Sequence, residues 1–352
     1  MLWGTGCRHR QPPITPLRPI PAGEPTPPVA PPPPPPSLPP PDIPPPVPVP
    51  TVLKTAGQGW IPVEVWAAEV GLGMPVTSGD GTNTVFLLPH LESELALPLG
   101  RQQARWRQAE FWLGFPIRRV GGVPCIHAED ANRTVWPLLT DDGQPLAGTN
   151  RVIVLDPGHG GANPGAVSEA AGLKEKNLTL DWALRAKRLL EAKGWEVHLT
   201  RTNDTDCTLA QRVATADRHG AGLFLSLHFN DSSNPGNRSG IETYCLTPNG
   251  LPSSITRGFA DDTSESCPNH AFDDLNLRLA MRVHKALVRR TGSPDRGVRR
   301  ARFMGVLRTQ QRPAVLIEGG YLSDRHDAGL IASGEYRQKL AEALEEALGS
   351  PP

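Results

Sequence analysis

The chain has 352 residues, enough for about two domains that each bury a core. Its 36 Lys and Arg residues balance its 36 Asp and Glu residues, and the isoelectric point is near neutral. This balance provides no basic surface, so no nucleic acid is expected as a partner and no acidic membrane surface is favoured. The sequence also has no run of about 20 apolar residues that would span a membrane.

Proline dominates the first fifty residues. Between positions 11 and 50 lie 22 of the 40 prolines, and six of them are consecutive, from Pro31 to Pro36. Such a segment cannot bury a core. We therefore expect a disordered, extended tether that reaches on the order of 100 Å, and a ligand for a proline-binding module is the alternative.

The first seven residues end in Cys7, which follows small residues and precedes the tether. This arrangement resembles the end of a bacterial lipoprotein signal, although the charged and apolar regions of such a signal are missing. Either the true translation start lies upstream and Cys7 carries a lipid anchor, or Cys7 is an ordinary residue. We favour the anchor, which predicts a protein of the cell envelope, in the periplasm and attached to the membrane as a lipoprotein.

The other cysteines show no Cys-x-x-Cys spacing, so neither a zinc ribbon nor a redox motif is indicated, and their disulfide state stays open. They are Cys125, Cys207, Cys245 and Cys267.

Residues 51–140 have a mixed pattern in which a short strand and a proline twice precede a helix. The first helix is predicted over 64–71 and the second over 127–135, with a strand over 84–88 between them. This part resembles the copper amine oxidase N-terminal-like domain, a stalk or wall-associated module with a small α+β fold. Copper is not expected, because His90 and His127 lie in different segments without chelating spacing. We expect both histidines at the surface.

Beyond a polar link over 141–150, strands alternate with helices. Helices are predicted over 177–193, 208–220, 275–288 and 335–348, and strands over 152–155, 195–199, 223–227, 241–246, 303–307 and 315–317. This alternation is typical of an α/β fold, so residues 150–350 are predicted to form a twisted, mostly parallel sheet flanked by helices. The chain is thus expected to divide into a linker with a possible lipoprotein remnant (1–50), the domain that resembles a wall-associated module (51–140) and the α/β domain (150–350), which the motifs described next indicate to be the catalytic domain.

Three polar side chains come where predicted strands end. His159 follows the strand from Val152, His228 ends the strand from Leu223, and Glu318 ends the strand from Val315. The carboxyl ends of parallel strands share one edge of the sheet, where ligands bind. Glu175, just ahead of a predicted helix, is expected near the same edge. Each residue alone also fits an ordinary turn or helix start, but together they supply what a hydrolytic zinc site needs.

Six segments, in order, resemble the type 3 family of zinc-dependent N-acetylmuramoyl-L-alanine amidases. They are residues 155–161, 172–177, 226–230, 240–244, 295–298 and 317–323. The resemblance spans about 151–349 and implies that His159, Glu175 and His228 bind Zn²⁺ and that Glu318 is the catalytic carboxylate. It also implies peptidoglycan as the substrate, cut at the amide bond between the lactyl group of N-acetylmuramic acid and the L-alanine of the stem peptide.

The implied chemistry is hydrolysis by a water that zinc acidifies. Glu318 would take a proton from this water and later deliver it to the leaving amine. Asn230 and Arg296 are candidates for contacting the substrate or supporting the ligands, and a plain packing ion pair is an equal alternative for Arg296. Wall-associated or division proteins that activate the enzyme are expected as partners.

A polar insertion lies between Thr247 and Asp274. Leu251, Ile255 and Phe259 recur every four residues and predict one short amphipathic helix. Some division-associated members of the family carry a helix here that blocks the zinc, so a regulatory lid is one hypothesis. A plain surface loop is the interpretation we favour, because the insertion also contains prolines and a glycine. His270 is expected to be solvated.

Two other functions compete with the amidase. A zinc peptidase acting within the stem peptide would use the same metal chemistry, but the chain has no His-Glu-x-x-His helix. A catalytically inactive, wall-binding scaffold is the other alternative. The presence of all three ligand types together with Glu318 argues against it.

Overall fold

The computed structural model describes residues 59–143, 146, 150–232 and 238–350. Cys7 and the proline-rich tether lie outside these residues. The described residues all belong to one compact unit. Within it, no helix is both long enough and apolar enough to cross a membrane.

Sixteen strands occur in the described part of the chain. In order they are β1 (Trp60–Pro62), β2 (Val76–Ser78), β3 (Val85–His90), β4 (Ser93–Pro98), β5 (Gln103–Trp106), β6 (Ala109–Trp112), β7 (Arg118–Val120), β8 (Val123–His127), β9 (Val152–Pro157), β10 (Val167–Ser168), β11 (Leu173–Lys174), β12 (Glu196–Leu199), β13 (Leu223–Asn230), β14 (Ile241–Cys245), β15 (Asp295–Arg300) and β16 (Ala314–Tyr321).

The helices of the same residues are α1 (Val63–Glu69), α2 (Ala128–Asp130), α3 (Trp136–Leu139), α4 (Glu175–Ala192), α5 (Leu209–Arg218), α6 (Asp273–Thr291), α7 (Gly305–Arg308), α8 (Arg325–Ala332) and α9 (Gly334–Leu348). A π-helical turn, Ala131–Val135, joins α2 to α3. Short 3-10 turns cover Gly81–Asn83, Glu169–Ala171 and Pro268–Phe272.

Eleven of these strands form one sheet, in the order β12-β9-β13-β16-β14-β15-β6-β5-β4-β3-β2. The first four strands of this order are mutually parallel, and β14 is antiparallel to β16 but parallel to β15. With helices packed against it, this arrangement confirms the predicted α/β fold with a mostly parallel sheet. The adjacent parallel strands β9, β13 and β16 all end at one edge, which is where the candidate site lies.

The sheet continues without a break into the first part of the chain. Strand β6 lies parallel to β15, with Phe111 opposite Val298, and β5 to β2 follow as antiparallel hairpins. The backbone N–H of Glu110 donates to the Asp295 carboxylate at 2.9 Å, and the Trp112 indole donates to the carbonyl of Arg296 at 3.2 Å. Residues 76–112 therefore extend the sheet, while β1, β8 and β7 form a small separate one. The domain boundaries stay a prediction.

Helix α4 shows how the local sequence forms this layer. Leu178, Trp182, Ala186 and Leu190 repeat every four residues, and all four are buried. Burying such a stripe against the sheet supplies most of a helix's stability in a protein. Helix α5 begins at the predicted capping box, in which Thr208 and Gln211 bond to each other's backbone N–H.

Two sequence predictions about secondary structure are wrong. Residues 303–307 are not a strand, because helix α7 begins at Gly305, and the strand in this region is the arginine-rich β15. The helix expected around Leu251, Ile255 and Phe259 is also absent, and these residues lie in an irregular loop. Leu251 is fully buried whereas Phe259 is 64% exposed, so the four-residue spacing does not define one face. The favoured alternative, a loop, is what the structure has.

Two histidines are more enclosed than expected. His127 is buried, with its ring stacked on Phe115 at a centroid distance of 3.9 Å. His270 is half-buried. Its Nδ1 accepts from the backbone N–H of Cys267 at 3.1 Å, and its Nε2 lies 3.1 Å from the Thr247 carbonyl. Both expectations were wrong. Phe115 is distant from His127 in the sequence, and His270 contacts backbone groups of Cys267 and Thr247, so neither environment is visible from the local sequence.

Candidate metal centre

Strand β9 ends in a glycine-rich turn that carries His159. The φ angle of His159 is 61°, in the left-handed region that few residues other than glycine adopt. A Cβ on Gly158 would lie 2.3 Å from Cε1 of His228, and one on Gly165 would lie 2.4 Å from Oε2 of Glu175. Both positions therefore require glycine, because any side chain would displace a neighbouring polar group.

Three side chains predicted as ligands meet at the edge of the sheet. Nε2 of His159 lies 3.1 Å from Oε2 of Glu175, and Nδ1 of His228 lies 2.8 Å from Oε1 of Glu175. One ligand atom from each residue lies within 4.8 Å of the other two. The Glu175 side chain is only 4% exposed, so its carboxylate is the most deeply buried of the three groups.

Glu175 is the first residue of α4, and backbone groups fix its carboxylate. Oε2 accepts from the N–H of Ala166 at 2.8 Å, and Oε1 accepts from the N–H of Phe229 at 3.0 Å. Burial would raise the pKa of Glu175, but the hydrogen bonds and charges of the two histidines outweigh it and hold the pKa below the usual range. For His228, burial would lower the pKa, but Glu175 raises it. The carboxylate is therefore ionised at neutral pH.

The donor set fits zinc. Nδ1 of His159 lies 3.2 Å from Oδ1 of Asn163. With Nδ1 donating to this acceptor, Nε2 would offer its lone pair to a metal ion in place of its hydrogen bond to Glu175, which is how a histidine ligand is usually oriented. Two imidazole nitrogens and one carboxylate oxygen are the protein ligands of many hydrolytic zinc sites. The arrangement can therefore bind Zn²⁺ through His159, Glu175 and His228.

Two arginines, which the sequence analysis did not identify, hold the turn before and at His159. Arg201 donates to the carbonyls of Pro157 at 3.0 Å and Gly158 at 2.8 Å. Arg212 donates to the carbonyls of Pro157 at 3.0 Å and His159 at 2.8 Å. Three successive carbonyls thus have buried guanidinium donors. A sequence signal for Arg212 existed, because it lies four residues before Ala216 on the buried face of α5.

Glu318 lies on β16 directly opposite His228 on β13. It is buried, and its Oε2 has no hydrogen-bond partner within the described residues. Burial raises the pKa of Glu318 to about 8, with the charge of Glu175 adding to the effect and His228 opposing it. A carboxyl group with a spare oxygen and a pKa near neutrality can exchange a proton with a water or a substrate.

The two weaker candidates, Asn230 and Arg296, both bond to Glu242. Asn230 Nδ2 donates to Oε2 of Glu242 at 3.0 Å, and Arg296 Nε donates to Oε1 at 3.0 Å. The guanidinium of Arg296 also lies 5.4 Å from the ring centroid of Tyr321. Arg296 is therefore engaged in a packing ion pair, the alternative named for it, and substrate contact by either residue stays a prediction.

A sequence-family model described as N-acetylmuramoyl-L-alanine amidase matches residues 153–350, more than half of the chain. The chain belongs to this family. The matched region begins within β9 and contains all four residues of the candidate centre, His159, Glu175, His228 and Glu318.

Several curated proteins are similar to this chain. N-acetylmuramoyl-L-alanine amidase LytC of Bacillus subtilis is 32% identical over 229 residues, which cover 64% of this chain and 38% of LytC. The corresponding AmiA of Escherichia coli is 29% identical over 221 residues, covering 57% of this chain and 75% of AmiA. The chain thus spans well under half of the length of LytC and about three quarters of that of AmiA.

Solved structures of amidases also match. The catalytic domain of CwlV from Bacillus (Paenibacillus) polymyxa is 29% identical, with a TM-score of 0.46, and covers 56% of this chain and 95% of that one. AmiC2 of Nostoc punctiforme is 31% identical, with a TM-score of 0.47, and the match covers 57% of this chain and 96% of the AmiC2 chain.

Proposed function

We propose that this amidase is a zinc-dependent peptidoglycan hydrolase. It cleaves the amide bond between the lactyl group of N-acetylmuramic acid and the L-alanine of the stem peptide. The observation that carries the proposal is the convergence of His159, Glu175 and His228, with one ligand atom from each within 4.8 Å of the others, in a chain of the amidase family. The buried, unpartnered oxygen of Glu318 across from His228 adds a proton acceptor to this set.

His159, Glu175 and His228 would hold the zinc ion. When bound, zinc supplies a Lewis acid that polarises the scissile carbonyl and lowers the pKa of a water. The protein's own part begins with Glu175, whose two backbone donors keep the carboxylate ionised and fixed in orientation. Arg201 and Arg212 keep the His159 turn in place by binding its carbonyls.

Glu318 carries the proton in this mechanism. Its Oε2 takes a proton from the attacking water and then passes it to the nitrogen of the leaving L-alanine. Burial favours the neutral form of Glu318, which helps it to return the proton, and a zinc ion held by His159, Glu175 and His228 would favour the ionised form that accepts it. The low polarity implied by its burial also strengthens electrostatic interactions with the developing charge.

The remaining parts of the chain are proposed to bring this site to the wall. Residues 51–140 would form a wall-associated module of the copper amine oxidase N-terminal-like type, without copper, and the pairing of β6 with β15 attaches the described part of it to the catalytic sheet. The proline-rich tether and the lipid on Cys7 would anchor the enzyme in the periplasm. The sequence motifs described above support these proposals. Wall-associated or division proteins are proposed as activators.

Digestion of purified sacculi tests the proposed function. The protein is stripped of metal with a chelator, reloaded with Zn²⁺ and incubated with sacculi, and the released fragments are identified by mass spectrometry. We expect intact stem peptides with a free L-alanine amino group and no lactyl group, released only by the zinc-loaded protein. Fragments cut inside the stem would instead identify a peptidase. Binding of the wall without release would identify a scaffold.

A further inference from the structure

Arg257 is a cation beside the candidate centre to which the mechanism above assigns no role. Its Nη2 donates to Oδ1 of Asn230 at 3.1 Å. Its guanidinium lies 5.4 Å from the ring centroid of Phe303 and 6.0 Å from that of Tyr244. Asn230 follows His228 by two residues on β13, so Arg257 reaches the edge of the sheet where the ligands lie.

The loop that carries Arg257 is held firmly in place. Asp261 accepts hydrogen bonds from the backbone N–H and the hydroxyl of Ser253 at 2.7 and 2.6 Å, and it pairs with Arg302 at 2.6 Å. Arg302 also donates to the carbonyls of Pro248 and Leu251, each at 2.7 Å. These contacts tie both ends of the loop to Arg302.

Arg257 itself has an unfavourable backbone conformation, with a φ angle of 47°. The left-handed region is unfavourable for a non-glycine residue, and residues held there cluster at functional sites. The anchored loop holds this conformation, which directs an arginine towards Asn230. A position that needed only a turn would be better filled by glycine, as at the next residue, Gly258.

Burial would lower the pKa of Arg257, but Tyr244 and the charges of Glu318 and Glu242 raise it, and neither carboxylate forms a salt bridge with it. Within the described residues it forms no salt bridge, because the nearby Glu242 is already paired with Arg296 and Arg299 at 3.0 and 3.1 Å. More than a third of the residue's surface is exposed to solvent. A guanidinium has five N–H donors, more than the contacts with Asn230 and Tyr244 use, and its flat shape matches a carboxylate. Arg257 is therefore available to an anionic ligand.

The distance along the sheet indicates which anionic group. Two residues of a strand span about 6.6 Å, roughly two residues of an extended peptide. If the scissile amide lies at His228, the L-alanine occupies the first of these positions. The side chain or carboxyl group of the following residue then comes near Asn230 and Arg257. An acidic residue at this position of the stem would place its free carboxyl group there, as a carboxylate or, where it is amidated, as a carboxamide.

We propose that Arg257 binds the free carboxylate of the stem-peptide residue that follows L-alanine. The amidase then distinguishes stems with a carboxylate at this position from amidated stems. This inference rests on the proposed function, because it assumes that the stem peptide lies along β13 beyond the scissile bond. It assigns Arg257 to substrate specificity and not to the hydrolytic step.

Two soluble muropeptides that differ only in this group, carboxylate against carboxamide, test the proposal. For the zinc-loaded wild type we expect kcat/KM to be about tenfold or more higher on the carboxylate substrate, since a charge-assisted hydrogen bond distinguishes the two. Arg257→Gln should bring the ratio close to one, mainly through KM on the carboxylate substrate. Arg257→Lys should keep part of the preference. Arg218→Gln, which removes an exposed arginine at the end of α5, is the matched control and should keep the full preference.

The outcomes separate the two proposals. A wild type that cleaves both substrates equally, or an Arg257→Gln variant that loses kcat/KM equally on both, would overturn the role of Arg257 and leave the amidase function standing. A wild type that cuts neither substrate at the lactyl amide would overturn the proposed function and this inference with it. Thermal unfolding of each variant shows whether the loop change has disturbed the fold. If Arg257→Gln unfolds early, the decision rests on the ratio for Arg257→Lys, and a ratio unchanged from the wild type would overturn the proposal.

Discussion

Replacing Arg212 with methionine should weaken both the fold and the metal site. The Arg212 side chain is 6% exposed and forms an ion pair with the buried carboxylate of Asp156. It also donates to the carbonyl of His159 at 2.8 Å and to that of Pro157 at 3.0 Å. Arg212→Met keeps most of the apolar stem of the side chain and removes all of these donors. The variant therefore tests the buried network without opening a large cavity.

The size of the effect follows from what remains around Asp156. Removing one partner of a buried ion pair destabilises a protein by about 3–5 kcal/mol, because the other charge stays buried. Asp156 keeps its hydrogen bonds from Thr200 at 2.6 Å and Ser226 at 2.7 Å, so we expect the lower end, about 3 kcal/mol. Groups that orient a metal ligand typically change metal affinity by about 10–100-fold when lost. The loosened His159 turn should reduce zinc affinity by at least the lower figure.

Urea unfolding of the metal-free protein measures the first effect, and competition with a chromophoric chelator measures the second. The double variant Asp156→Asn/Arg212→Met removes the stranded charge, so its loss of stability should be smaller than the sum of the two single losses. The reasoning is refuted if Arg212→Met has the wild-type free energy of unfolding and the wild-type zinc affinity. Strict additivity in the double variant would equally contradict the coupling.

Three further predictions concern the site and its surroundings. Glu318→Gln should lower kcat by about 10²–10⁴-fold and leave the zinc content unchanged, and wild-type turnover would remove Glu318 from the chemistry. Gly165→Ala should weaken zinc binding, because its Cβ would lie 2.4 Å from Oε2 of Glu175, whereas Gly172→Ala shares the positive φ, has open space and should keep the affinity. Burial raises the pKa of Asp273 to about 7, so the folded state binds this proton more tightly than the unfolded state does. The free energy of unfolding should therefore fall as pH rises from about 4 to 7, less steeply in Asp273→Asn, and equal slopes in urea unfolding would contradict this.

The candidate centre could be predicted from sequence because its geometry is set by strand ends. His159, His228 and Glu318 each follow an apolar run, and parallel strands bring their carboxyl ends to one edge whatever the details of the connecting helices. Glu175 required the family resemblance to be singled out as a ligand. The glycines that flank His159 were visible in the sequence, but their individual roles depend on contacts with His228 and Glu175.

What the sequence could not predict depends on buried charges and distant contacts. Strand β15 contains three arginines, a composition untypical of a buried strand, and two of them, Arg296 and Arg299, are paired with Glu242 on the neighbouring strand. The four-residue spacing suggested a helix near Leu251, but this residue packs beside Gly114, far away in the chain. A residue whose partner lies far away in the chain leaves no local pattern in the sequence.

The extension of the sheet by β6 was also invisible. Strand β6 lies in the part of the chain whose pattern differs from that of residues 150–350, so the sequence suggested a separate unit. Only the pairing of β6 with β15 joins the two parts.

The insertion between Thr247 and Asp274 is also part of the packed structure. Leu251 is buried and Arg302 binds its carbonyl, so deleting this segment would disturb the fold, and a point change at Arg257 is the cleaner test of its function.

The most direct test of the central claim is a zinc titration of the metal-free protein in which bound zinc and stem-peptide release are followed together. We predict one tightly bound zinc per chain, activity that rises in step with occupancy, and neither tight binding nor release in His159→Ala, with its circular dichroism spectrum largely unchanged. Full activity of the metal-free wild type, or a zinc-replete and fully active His159→Ala, would contradict the account.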